Sequence, residues 1–380
     1  MPTTKSFQNY HLYRFDPVAY WLIDKLRLSP LLLGLLTAVV NTGLYLFTAW
    51  ISNTLWSSSG KVGLLQDWLP WVLALFINPI VSGYYLWSFQ AIDKVIQALE
   101  ASNVLGIDQA EIEEINQISL NAYRPKWHRL LALSIAVLSS IIVCITRFAL
   151  NNSWTGSHPL PILMITLLTF GVVYMGSELA INLITNIWIL HRVLKNALER
   201  REFNVNPLHP DRCGGLRALS DYALKAAYLI ATLGILVGLI EYQFITGEVG
   251  ESYWFVHLVI PLYILLSIGF FFGPLVAAHR GMERAKEELL HSIARQFQAD
   301  YTQIHSSLTS DAEILSKGAS KIQELQAFYK LTSEFPVWPF DVQTFRQFSL
   351  TVSAPFLPIL LGVLQKAMGL LLKKWGIELP

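Results

Sequence analysis

Glu178, Asn182 and Asn186 recur at four-residue spacing inside a thirty-residue run, 161–190, that holds no other acidic or basic side chain. At 100° per residue the three climb one side of a helix, with Thr185 and Gly171 inside the same arc. Polar groups inside an apolar helix are costly in lipid and are expected to face protein or water. A carboxylate can attract a cation or carry a proton there, while amides replace lost hydration. The plainer alternative is an interhelical hydrogen-bond cluster, each bond contributing less than about 1–2 kcal/mol.

Two other places carry residue types with chemical meaning. Asn78-Pro79 falls in the middle of the second apolar run, where proline deletes a backbone hydrogen bond and kinks the helix. Pro79 is therefore a candidate hinge, and Asn78 a candidate polar group on an ion path. Gly273-Pro274 gives the sixth run a similar bend. The string His209-Pro210-Asp211-Arg212-Cys213-Gly214-Gly215-Leu216-Arg217 is the third candidate. Alternating His209, Asp211 and Cys213 invite a metal, but no second ligand cluster accompanies them, and no metal site is expected. Arg212, Gly214, Gly215 and Arg217 suit an anion better, because free N–H groups ahead of a helix favour phosphate. A lipid head group or a nucleotide is the partner that this reading implies. A tight turn aiming the next helix is the alternative.

Signatures of catalysis are missing: no G-x-S-x-G, H-E-x-x-H, P-loop or C-x-x-C occurs. The expectation is a protein that is not an enzyme, with no catalytic residues and no cofactor. Cys144 lies in an apolar run and Cys213 in a basic loop, which argues against a disulfide.

The elements that must position these residues follow from composition. Of 380 residues, 53% are apolar and only 14% charged, against about 25% charged in a soluble domain. The apolar residues gather into runs of about twenty, enough to cross a bilayer. The fold class is all-α, a polytopic membrane helical bundle. It has six clear spans, a kinked or re-entrant seventh apolar segment at the C-terminus, and cytosolic helical hairpins. A net charge of +1 gives no field for nucleic acid.

In chain order, residues 1–29 form a cytosolic arm and an interfacial helix. The arm, 1–15, reads as loose; the helix starts at Asp16-Pro17 and either lies on the membrane surface or packs as an extra turn. Residues 30–89 hold spans one and two, and 90–129 a helical hairpin continuous with span two. Residues 130–202 hold spans three and four with a cytosolic extension. The basic turn and spans five and six occupy 203–278, a second hairpin 279–347, and the last apolar segment 348–380. Gly234-x-x-x-Gly238 and Gly269-x-x-x-Gly273 read as close helix packing.

Lys and Arg number four in 1–29, four in 90–129, six in 191–219 and eight in 279–347, whereas the opposite loops hold Lys61 alone, with Arg147 at a membrane edge. This bias puts the N-terminus and both hairpins in the cytosol. The localisation is a bacterial inner membrane or another membrane facing a cytosol, and the lipid bilayer is the first partner. Apolar faces on the hairpins predict a homo-oligomer. The leading functional expectation is an oligomeric ion channel with a helical cytosolic vestibule or sensor. The alternatives are a secondary, proton-coupled transporter and a non-transporting scaffold or signalling protein acting through its cytosolic helices.

Overall fold

A computed structural model describes residues 12–56, 63–105, 109–149, 154–155, 159–200, 205–206, 209–211, 213–246, 257–306 and 312–374. Every regular element among them is helical. Among the described residues, five helices are long and apolar enough to cross a membrane, seven when two bent pairs each count as one span. The chain is an all-α polytopic membrane bundle.

The first elements are a 3-10 turn, Leu12–Phe15, and α1, Pro17–Tyr20, which continues as a π-helical turn, Trp21–Lys25. Residues 12–15 are not loose, as the sequence suggested. Leu12 is 1% exposed, and the turn lies against α4 (Asn78–Ala101) and α5 (Gln109–Tyr123). The following turns pack on the bundle too: Ala19 and Leu22 are buried, while Trp21 points outward. Their polarity concealed this docking because the group that anchors it is itself a carboxylate, Asp16.

The first span, α2, is Pro30–Ile51, started by the Ser29 hydroxyl accepting from Leu32 N–H. The second enters as α3, Trp68–Val72, capped by Asp67, and reaches α4 through a π-helical turn, Leu73–Ile77. Pro79 accounts for that turn. It has no N–H to offer Leu75, and the ladder slips so that Asn78 N–H reaches Leu73 C=O. α4 then leaves the apolar layer without a break. α6, Lys126–Ala149, forms the third span, and α7 runs unbroken from Pro159 to Glu199.

α8, Arg217–Thr246, begins two turns before the apolar stretch alone indicates. α9, Val259–Phe272, bends by 43° at Gly273-Pro274 into α10, Leu275–Ser306, which pairs with α11, Ala312–Glu334. The last segment is α12, Val342–Ser353, and α13, Phe356–Lys374, bent by 46°. Phe348 stacks on Phe271, Pro355 lies on Gly238, and Gln365 accepts from Tyr242 hydroxyl at 2.7 Å. From Pro355 to Gln365 the contacts advance along α8 from Gly238 to Tyr242, as expected of the kinked alternative.

Burial is uneven in a way that follows the solvent. Leu138, Ile145, Leu265 and Leu361 stand on the bundle's outside, each more than 60% exposed, as helices in lipid require. The densest core lies at the polar end, where α4 projects beyond its apolar stretch. There Ile92, Ile96 and Leu99 meet Leu190 and Leu194 of α7, Leu216 just ahead of α8 and Leu219 within it, all 0–1% exposed. Water drives apolar surfaces together there, and a smaller cluster of Tyr45, Leu64, Trp154 and Ile165 closes the opposite end of the spans.

Candidate functional site

The polar stripe of α7 is buried: Glu178, Asn182, Thr185 and Asn186 are 3%, 3%, 8% and 0% exposed. Its lower part is knitted to α4 and α5. Asn182 Nδ2 donates to Ser88 Oγ at 3.1 Å, Asn186 Nδ2 to Ser88 C=O at 2.9 Å, and Tyr123 hydroxyl to Asn186 Oδ1 at 2.6 Å. Thr185 spends its hydroxyl on Ile181 C=O in its own helix. The two amides thus tie three helices together.

One turn up, the pattern changes. Asp16, 2% exposed, caps α1 by accepting from Val18 and Ala19 N–H. The same carboxylate accepts from Tyr85 hydroxyl of α4 at 2.6 Å and Tyr174 hydroxyl of α7 at 3.2 Å. Asp-Pro folds locally into a helix start, and the two phenols bind that start between the second and fourth spans. Glu178 sits one turn below Tyr174, within electrostatic reach of both Asp16 and Arg129. Its Oε1 is buried with no hydrogen-bond partner among the described residues. A buried polar atom left unpaired costs about 1–3 kcal/mol, more for a charged group. Two carboxylates in one site need a positive charge or a proton beside them. Arg129 and Lys126 line a cleft of about 440 Å³ between α1, α6 and α7, with Tyr174 on its inner wall.

The sequence pointed to Glu178 and its amides but missed Asp16, Tyr85, Tyr174, Ser88 and Arg129. Only the Asp-Pro helix start hinted at any of them. Asn78, a candidate for the same path, is buried two turns away along α4, and no described contact joins it to Glu178. Pro79 is clamped, since its carbonyl lies against Gly34 of α2, where an added Cβ would stand 2.9 Å from the oxygen. Gly234 and Gly238 do bring helices close, against Tyr263 and Pro355. Gly273 touches Ile187 beside the bend at Pro274, but Gly269 has nothing within 4 Å of an added Cβ.

The His209–Arg217 turn is organised around Asp211. Its carboxylate accepts from Cys213 N–H at 2.9 Å, Gly215 N–H at 3.0 Å and Arg217 N–H at 3.3 Å, with His209 Nδ1 2.7 Å from Oδ1. Burial works against the charge of Asp211, but these donors outweigh it and hold the carboxyl below its usual range. The N–H groups of Gly215 and Arg217, which an external anion would need, are therefore given to the chain's own carboxylate. Arg212 lies outside the described residues. Gly214 and Gly215 take φ of +67° and +92°, and side chains there would strike Val205 and Val104. Cys213 and Cys144 are free, and burial pushes the Cys213 thiol up to about 11. No group of three or more His, Cys, Asp or Glu suited to a metal occurs among the described residues.

These apolar helices define an integral membrane protein. Comparison with known families, curated proteins and solved structures finds no match to the chain.

Proposed function

We propose that the chain is a secondary membrane transporter in which Glu178 binds the coupling proton or cation, with the N-terminus and the helical hairpins in the cytosol. The observation that carries this reading is Glu178 itself, buried beside Asp16 with one oxygen unpartnered. Glu178 belongs to an apolar run and lies toward its cytosolic edge, beside Asp16 and Arg129, and carboxylates held within such runs mark proton and ion pathways. A transporter is preferred over a channel because Asn182 and Asn186 are spent on Ser88 and Tyr123, not lining a path. The Lys and Arg bias supports the orientation.

The test is ion-gradient-driven flux into proteoliposomes. Wild-type flux that falls at least tenfold in Glu178→Gln, with the melting temperature unchanged, is expected. Equal flux in wild type and Glu178→Gln would return the stripe to a purely structural role.

The oligomeric channel is the second reading, and one observation favours it. Tyr301 of α10 and Phe328, Tyr329 and Leu331 of α11 are 41–58% exposed on the polar hairpin, where no lipid covers them. A second copy, or the partner of a scaffold, would bury them. The particle mass in detergent, and its change on Leu331→Glu, separates these readings from a monomeric carrier.

A further inference from the structure

We propose that the notch between α2, α4 and α8 is a binding site for an anionic phospholipid, one acyl chain lying in the notch and the phosphate on Lys225. The notch has a volume of about 610 Å³ and is walled by Gly34, Pro79, Gly83, Tyr84, Trp87 and Tyr228, with Lys225 at its edge. That volume falls within the range of sites for lipid- or drug-sized molecules.

Its origin is in the backbone. An added Cβ on Gly34 would stand 2.9 Å from Pro79 C=O, and one on Gly83 would stand 3.0 Å from Pro30 C=O. α2 and α4 therefore meet main chain to main chain, and no side chain from the contact fills the space beside it. Trp87 forms the rear wall, stacked on buried Tyr222 with centroids 5.6 Å apart and edge-on to Tyr84 at 5.2 Å. Leu31 and Leu35 on the outer rim are 77% and 58% exposed, so the notch opens sideways to lipid.

The depth and the charge select the occupant. Pro30 begins α2, which places the mouth at the boundary of the apolar layer, where Trp and Tyr gather. Lys225 has no ion pair or hydrogen bond among the described residues. Asp221, one turn earlier on α8, makes no ion pair with it, and the hydroxyls of Tyr84 and Tyr228, within electrostatic reach of each other, make no hydrogen bond among the described residues. An apolar slot ending in an unpaired ammonium and two phenol donors complements an acyl chain bearing a phosphate. A zwitterionic lipid brings its own cation to that spot and gains less.

Native mass spectrometry of the full-length protein in detergent tests the site, with phosphatidylglycerol and phosphatidylcholine of identical acyl chains as probes. Wild type is expected to retain phosphatidylglycerol at least fivefold better. That preference should vanish in Lys225→Gln, survive in Lys225→Arg and be unaffected by Lys94→Gln, a substitution of another exposed lysine on α4. Leu31→Trp, which crowds the rim, should weaken both lipids severalfold with helix content unchanged. Equal retention of the two lipids by wild type, or an undiminished preference in Lys225→Gln, would overturn the proposal. So would soluble glycerol phosphate binding as well as the lipid, because the notch would then contribute nothing.

Discussion

At the turn before α8, Asp211 receives three backbone N–H groups, while in α7 one oxygen of Glu178 receives none. Glu178 was a candidate from sequence and Asp211 was not, standing there only in a metal trio that was not expected, and the difference separates their uses. Asp211 replaces an external anion with an internal one and fixes the path by which the chain enters α8. Glu178 keeps a coordination position unspent at a place where that costs stability. Asp16 lies between the two cases: it neighbours Glu178 but, like Asp211, is filled with donors.

The comparison breaks first at Asp16. Asp16→Ala strands Tyr85 and Tyr174 hydroxyls and uncaps α1, and should cost about 3–5 kcal/mol, as loss of one partner from a buried charged network does. Thermal unfolding in detergent measures it, together with faster proteolysis of the N-terminal segment. A cost under about 1 kcal/mol would remove Asp16 from the architectural class. Asp211→Ala comes next, at about 2–3 kcal/mol, since it leaves the buried N–H groups of Cys213 and Gly215 unpaired; denaturant titration reads this directly.

The same turn sets a pH signature. The folded-state value of Asp211 is depressed, so its contribution is complete above the ordinary aspartate value near 3.9 and is lost as pH falls through the lower folded value. The melting temperature should therefore drop as pH is taken below about 4, and Asp211→Asn should flatten that part of the profile. The smallest change in stability is expected from Glu178→Gln, within about 1 kcal/mol, because the amide removes one of two neighbouring like charges. If that substitution instead unfolds the protein, Glu178 joins Asp211 as architecture.

Much of the fold was legible because it is written in local patterns. Apolar run lengths gave the spans, Asp16-Pro17 gave a helix start, and polar helices with one apolar side gave the α10–α11 hairpin, whereas α5, expected to fold back on α4, packs against α7 and the 12–15 turn instead. Both bends fall at prolines, Pro274 and Pro355. The candidate site was legible only on its own helix. Four-residue spacing revealed Glu178, Asn182 and Asn186, but their partners lie far along the chain: Ser88 is 94 residues from Asn182, and Tyr174 is 158 from Asp16. A serine or a tyrosine inside an apolar helix announces nothing until packing brings it to a polar group. The docking of residues 12–15 escaped for the same reason, as did the turn at Asp211, whose donors are main-chain atoms that look alike in every sequence.

The unbroken length of α7 has a mechanical consequence. Its 41 residues make a rod of roughly 60 Å, about twice the thickness of the hydrocarbon layer. Glu178 lies near the middle, and Glu199 is about 30 Å further along at 1.5 Å per residue. At that tip Asn196 and Arg200 are fastened to Glu114 of α5. A tilt of about 5° pivoting at Glu178 would swing the fastened tip by roughly 3 Å, with the rise per residue setting the arm. Under the proposed ion binding at Glu178, occupancy of that carboxylate would be legible as a displacement at the far end of α7, with the helix serving as a lever.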